Sequence, residues 1–212
     1  MTTDFSSLAQ LHSYSLASYW DARYVLSDAH TVFDWLQPAQ AFFDILSPSL
    51  ESNDEILVVG CGNSDLIRLL YQNNYCLLTA IDFSEVLIHQ QVKRYEQYPE
   101  IEFTMMNMCH MTYPNGNFNK IIDKGSMDCL LTNMSTAPFE QALGEVYRCL
   151  KDGGCFFSLS HACERVRLSH FEVYNWDIRV FPIKRVTSRA VEHVTATPLP
   201  STDYHYLYVC VK

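Results

Sequence analysis

The sequence predicts an α/β fold: a mostly parallel, doubly wound sheet of seven strands, the last of them antiparallel. Short, unbroken apolar runs such as Ile56-Leu57-Val58-Val59 alternate with segments whose apolar residues recur at helical spacing. The runs end in Gly60, Asp82 and Asp123, the small and acidic residues of strand-to-helix turns. Near the C-terminus, two strand-like stretches follow one another with no helical pattern between them, which predicts an antiparallel final pair.

Each element follows in order. Residues 1–50 are aromatic and irregular, closed by the turn formers Ser47 to Asp54. The first strand, Ile56 to Val59, stops at Gly60, and a helix from Asp65 to Gln72 carries Leu66, Ile67, Leu69 and Leu70, with Ser64 as its N-cap. Leu77 to Ile81 is the second strand. Ser84 caps the next helix, whose apolar face is Leu87, Ile88, Val92 and Tyr95, and Pro99 ends it. Ile101 to Met105 and Lys120 to Ile122 are strands three and four. A helix from Phe139 to Leu150 follows, stopped by Asp152-Gly153-Gly154, and Cys155 to Leu159 is strand five. Asp177 to Phe181 and Tyr204 to Val211 complete the sheet, and the connection from Lys184 to Thr202 reads as a long, mobile loop. Parallel neighbours joined through helices require right-handed crossovers. The expected organisation is one domain over 1–212, with an N-terminal aromatic segment (1–50), a core (55–160) and C-terminal strands with a substrate-side connection (161–212).

Composition narrows the function. The 212 residues are 48% hydrophobic, enough for one sizeable core. Lys and Arg number 15 against 24 Asp and Glu, a net charge of −9 that argues against nucleic acid as a partner and favours a basic protein. Eight cysteines form no CxxC pair and sit mostly in apolar runs, which excludes a metal framework and points to reduced thiols and the cytoplasm. No apolar stretch is long enough to span a membrane, and no signal-peptide pattern precedes the core.

The chemistry gathers where ligands bind in such sheets, outside the carboxyl ends of the strands. Gly60-Cys61-Gly62-Asn63-Ser64 lets the backbone approach a ligand, with Gly60 and Gly62 free of side chains. Asp82, twenty residues after Gly62, is placed to accept hydrogen bonds from ribose hydroxyls. Position 65 holds Asp65 where dinucleotide sites carry a third small residue. Its charge would repel a pyrophosphate, whereas S-adenosylmethionine has no phosphate and carries a sulfonium and an ammonium, so methyl transfer is the better reading. After strand three, Asn107 and the Met108 amide can read an adenine edge, while Met105 and Met111 read as core filler. Asp123-Lys124-Gly125-Ser126-Met127-Asp128 is a polar burst at the end of a buried strand. It either faces a site or caps a helix through Ser126, with Asp128 favouring the helix dipole, and the two are compatible.

In these motifs the chain resembles the class I, Rossmann-like methyltransferases, specifically the subgroup that includes the lysine methyltransferases of translation elongation factor 1-alpha. The resemblance extends through Tyr19-Trp20-Asp21-Ala22-Arg23-Tyr24, Phe33-Asp34-Trp35, Ile81-Asp82-Phe83-Ser84, Tyr174-Asn175-Trp176 and His205-Tyr206-Leu207-Tyr208. It implies S-adenosylmethionine as cofactor and S-adenosylhomocysteine as product, with no metal. It also implies that Trp20, Tyr24 and Trp35 fold over the cofactor, that Gly60 lies beneath it, and that Phe83 packs on the adenine. Lys124 would line the methionine end. On composition alone those N-terminal aromatics read as core. Two positions depart from the wider pattern. Asn107 stands where the subgroup carries aspartate, weakening one hydrogen bond by about 1 kcal/mol. Val58 replaces the acid many class I enzymes place before the first glycine.

The implied reaction is in-line displacement on the methyl carbon by a neutral nucleophile. A lysine nucleophile must first lose a proton, and Asp123, Asp128 and His161 are the candidates to orient the amine or accept that proton, with His170 and His205 behind them. His161 reads equally as a hydrogen-bonded histidine at a strand end. The acceptor expected from the resemblance is a lysine of a basic translation factor; a small-molecule acceptor or a non-catalytic cofactor-binding role are the alternatives.

Overall fold

The computed structural model describes residues 12–27, 31–132, 135–186 and 203–212. Seven strands form one sheet in the order β3-β2-β1-β4-β5-β7-β6. The strands are β1 (Ile56–Val59), β2 (Leu78–Asp82), β3 (Glu102–Met105), β4 (Phe118–Lys124), β5 (Leu150–Ser160), β6 (Asp177–Lys184) and β7 (Tyr204–Val211). β1 to β5 pair in parallel, while β7 runs antiparallel to both β5 and β6. The predicted mostly parallel sheet with an antiparallel last strand is therefore the observed one. Strand order reverses at β1 and β4, so a crevice opens above their carboxyl ends.

The helices are α1 (Ala17–Val25), α2 (Ala39–Leu46), α3 (Leu66–Gln72), α4 (Glu85–Arg94), α5 (Ser126–Leu130), α6 (Ala137–Cys149) and α7 (Glu164–Phe171). β1 is buried at every position, and its side chains split between two cores as the pleat requires. Ile56 and Val58 join one with Phe42, Leu46, Leu66, Leu70 and Leu87, from α2, α3 and α4. Leu57 and Val59 join the other with Phe139, Leu143, Val146 and Phe171, from α6 and α7.

Several expectations need correction. Among the described residues up to position 50, the chain expected to be irregular forms α1 and α2, and Tyr14, Trp20 and Tyr24 are buried in the first core. Asp152-Gly153-Gly154 does not stop α6. The helix passes at Leu150 straight into extended backbone, and the glycines lie inside β5, where Gly153 and Gly154 exchange backbone hydrogen bonds with Lys212 (2.8 and 3.0 Å). A side chain at Gly154 would run into the Asn119 and Lys151 carbonyls, which is why glycine stands there. On α4, Val92 is exposed and Gln91 takes the buried place, donating to the Gly62 carbonyl at 3.3 Å. Met111 is core as expected, but Met105 is exposed because β3 is the sheet edge. The helix α7 escaped the pattern, since its buried residues are Arg167 and Phe171 while Val166 faces out. The expected long loop begins later, because β6 continues to Lys184; its residues 187–202 lie outside the described ones.

Ser84 caps α4 as expected. Its hydroxyl accepts from the Leu87 amide (3.2 Å) and donates to Asp21 of α1 (2.5 Å), so one buried oxygen starts a helix and docks another. Replacing Ser84 with alanine is expected to cost about 1–2 kcal/mol, read as a shifted midpoint in chemical denaturation with unchanged slope.

Candidate active site

The crevice is built from β1 outward. Gly60 follows β1 with φ +57°, and a Cβ there would collide with the Ser126 side chain, so only glycine fits. Ser126 uses that closeness to donate its hydroxyl to the Gly60 carbonyl (2.8 Å). The Gly62 amide donates to Asp82 at the end of β2 (3.1 Å), and the other Asp82 oxygen accepts from the Ser84 amide (3.0 Å). Burial pushes the Asp82 carboxyl up to about 6, although backbone amides hold it down. Met108 packs its methyl near Gly60. Asn107 is exposed, and its side-chain oxygen accepts from the Cys109 amide (2.9 Å), closing a turn. The oxygen expected to read an adenine amine is thus already engaged, with one lone pair left.

The N-terminal segment closes over this corner. Trp20 stacks on Tyr24 (5.9 Å, 27°) and meets Trp35 edge-on (5.8 Å). The Tyr24 hydroxyl lies within contact distance of Gly62, and burial with the nearby Asp82 charge raises its pKa. Asp34 anchors the segment. It receives the Lys124 ammonium from the end of β4 (2.8 Å), the Ser64 hydroxyl (2.5 Å) and the Ala39 amide at the start of α2 (3.0 Å). Lys124 also donates to the Trp35 carbonyl (3.0 Å), leaving one ammonium proton for another acceptor. Burial lowers its pKa, and Asp34 opposes that shift. Gly125, in the left-handed region, leaves room for Leu36 against it.

Across the crevice stand the three acid–base candidates. Asp123 is buried and fully engaged: one oxygen accepts from the Ser126 and Met127 amides (2.8 and 3.1 Å), the other from the Ser158 hydroxyl (2.8 Å). It, rather than Ser126, satisfies the first amides of α5. Burial and then the Asp128 charge push it up to about 7. Asp128 accepts from Ser160 (2.6 Å), from the His161 amide (3.0 Å) and ring Nδ1 (2.6 Å), and from Arg167. Despite burial, His161 and Arg167 hold its carboxyl well below the usual range. The His161 side chain is 45% exposed, and the Asp128 carboxylate raises its pKa. With Nδ1 turned to Asp128, Nε2 is the outward nitrogen. His170 instead packs on Phe139, and His205 is buried against Gln37 (3.2 Å), so both stand apart from this pair.

Asp65 is not aimed at the glycine loop. It pairs with Arg68 (2.9 Å to its Nε) and Arg94 (3.1 Å), so its charge is spent on α3 and α4. Asp34, Asp21 and Arg167 were missed from sequence. Asp34 had a signal, lying between two aromatics of the recognised motif; Arg167 had none.

The donor set suits S-adenosylmethionine: a buried acid beside a glycine turn, aromatic faces that attract a sulfonium, and a lysine proton for a carboxylate. Residues 56–154 match the family described as a methyltransferase domain. The chain is 31% identical over 177 residues to EEF1A lysine methyltransferase 4 of Bos taurus, covering 78% of this chain and 69% of that relative. It is 29% identical over 191 residues to the eEF1A lysine and N-terminal methyltransferase of Mus musculus, covering 87% of this chain and 27% of that longer protein. The N-methyltransferase NodS from Bradyrhizobium japonicum, solved with S-adenosyl-L-homocysteine, superposes with TM-score 0.64 at 13% identity over 92% of this chain and 97% of its own, a likeness of fold. Fold and crevice define a class I methyltransferase dependent on S-adenosylmethionine. Within that class, the chain belongs to the family of EEF1A lysine methyltransferase 4.

The buried acids set a pH dependence of stability. Asp82 and Asp123 titrate higher folded than unfolded, at about 6 and about 7 against an ordinary 3.8, so the folded state holds more protons between about pH 4 and 7, and the raised His161 acts in the same direction above its ordinary 6.5. Stability must then fall as pH rises through that window. Thermal melts across it are expected to show the decline, and Asp123→Asn is expected to flatten it.

Proposed function

We propose that this chain transfers a methyl group from S-adenosylmethionine to the ε-amine of a lysine in a protein, and that the protein is the elongation factor named in its relatives, eEF1A. The observation that carries this reading is the 31% identity to EEF1A lysine methyltransferase 4 over most of both chains. The cofactor supplies an electrophilic methyl on a positively charged sulfur. Asp82 holds the ribose, Met108 and Phe83 flank the adenine, and Asn107 meets its edge. Gly60 and Gly62 give close backbone approach, and Lys124 offers its remaining proton to the methionine carboxylate. Trp20, Tyr24 and Trp35 exclude water and face the sulfonium. On the acceptor side, His161 Nε2 takes the proton that frees the lysine lone pair, with Asp128 turning the ring. Asp123 shapes the start of α5 rather than touching substrate.

A basic acceptor suits the net charge of −9. We further propose a cytoplasmic setting, a reading supported by eight cysteines that form no CxxC pair and sit mostly in apolar runs. Among the described residues no helix is long and apolar enough to cross a membrane, and no His, Cys, Asp and Glu cluster could hold a metal.

Incubating the purified chain with labelled S-adenosylmethionine and purified eEF1A tests the reading. A labelled band whose label maps to one lysine by mass spectrometry is expected. Cofactor binding with no label on eEF1A would contradict it. His161→Gln is expected to lower kcat about a hundredfold while leaving S-adenosylhomocysteine affinity unchanged.

A further inference from the structure

Arg167 is the largest fully buried side chain of the described residues. Its Nη2 reaches the Asp128 carboxylate and the Ser160 hydroxyl (3.2 Å), and its guanidinium lies over the Phe139 ring (4.8 Å). Nε and Nη1 find no acceptor among the described residues. A buried guanidinium with two nitrogens unpaired is a poor device for stability, because a packed apolar side chain serves as well or better. The function of the charge therefore lies in what it faces.

It faces the carboxylate that holds His161. Around that histidine the backbone is also fixed: the Ala162 amide donates to Ser160 (2.9 Å), and the Tyr208 hydroxyl donates to the Ala162 carbonyl (2.8 Å). We infer that Arg167 is a positioning residue of the transfer site, locking Asp128 between Ser160 and His161 so that Nε2 points outward as a neutral proton acceptor. This rests on the reaction proposed above. In the step it serves, the substrate ammonium gives one proton to Nε2, the ring becomes imidazolium, and the amine nitrogen keeps the lone pair that attacks the methyl carbon. As the N–C bond forms the C–S bond breaks, its electrons staying on sulfur, and the imidazolium afterwards releases its proton to water.

The charged groups facing His161 are Asp128 from α5, Arg167 from α7 and Arg185 beyond β6, and the Asp128 charge also bears on Asp123 of β4. Asp128 favours the imidazolium and Arg167 opposes it, so Arg167 keeps a carboxylate-bound histidine from being locked in its protonated form. Without that opposing charge, less of the ring is neutral at pH 7.

The experiment follows the His161 imidazole by NMR titration of the whole chain without cofactor, assigned with His161→Gln, with thermal melts to confirm folding. Arg167→Gln is expected to raise the His161 midpoint by about one pH unit, and Arg167→Met, an apolar side chain that suits the Phe139 face, to do the same. Arg167→Lys is expected to stay near the wild-type value, and Asp128→Asn to lower it. With eEF1A as substrate, the acidic limb of the pH–kcat profile is expected to move up with the midpoint while KM for the cofactor stays constant. Unchanged midpoints in both Arg167→Gln and Arg167→Met would overturn the inference. The expected midpoints with no methyl transfer by the wild-type chain would instead overturn the proposed reaction and leave the positioning of His161 standing.

Discussion

The Lys124–Asp34 ion pair is the constraint on which the crevice depends. It joins the end of β4 to a segment that precedes β1 in sequence, and through Ser64, Ala39 and the Trp35 carbonyl it gathers the glycine loop, α2 and the N-terminal aromatic segment around two charges. Both side chains are largely buried, 7% exposed for Lys124 and 14% for Asp34. Two charges taken from water persist only if paired and hydrogen-bonded, so removing either partner strands the other at a cost of about 3–5 kcal/mol. The N-terminal aromatic segment is thus coupled to the sheet rather than merely resting on it. Asn63 adds a second stitch, donating to the Thr31 carbonyl (3.0 Å).

Three buried aspartates show how environment divides labour. Asp82 is met by backbone amides and keeps a raised pKa; Asp123 caps α5 and is raised further; Asp128 lies between an arginine and a histidine and stays ionised. The residue type is the same in each case. What differs is the number of donors and the sign of the nearest charge.

The parallel core was legible because each strand is a short apolar run with a polar stop and each long helix has an apolar stripe. Ile56 to Val59, Ser84 and the α6 face needed no tertiary information. The glycine corner with Asp82 was legible for the same reason, since close backbone approach and an acid at a strand end leave fixed spacings. Edge effects were not legible: Met105 is exposed because no strand pairs beyond β3, and sequence does not number the strands in space. Nor were the polar contacts that cross the fold. Asp65 looked like a guard against phosphate and is instead claimed by Arg94, twenty-nine residues away. Arg167 gave no periodic signal because a buried cation on a short helix breaks the very pattern by which helices are found. Such residues are placed by partners distant in sequence.

If Trp20, Tyr24 and Trp35 cover the cofactor as proposed, the Lys124–Asp34 ion pair holds them there. The most direct test of that hold is calorimetric titration of S-adenosylhomocysteine into Lys124→Met, under conditions where circular dichroism shows the variant folded. Affinity at least about tenfold weaker than wild type is expected, the equivalent of about 1.4 kcal/mol. Affinity equal to wild type in the folded variant would contradict it.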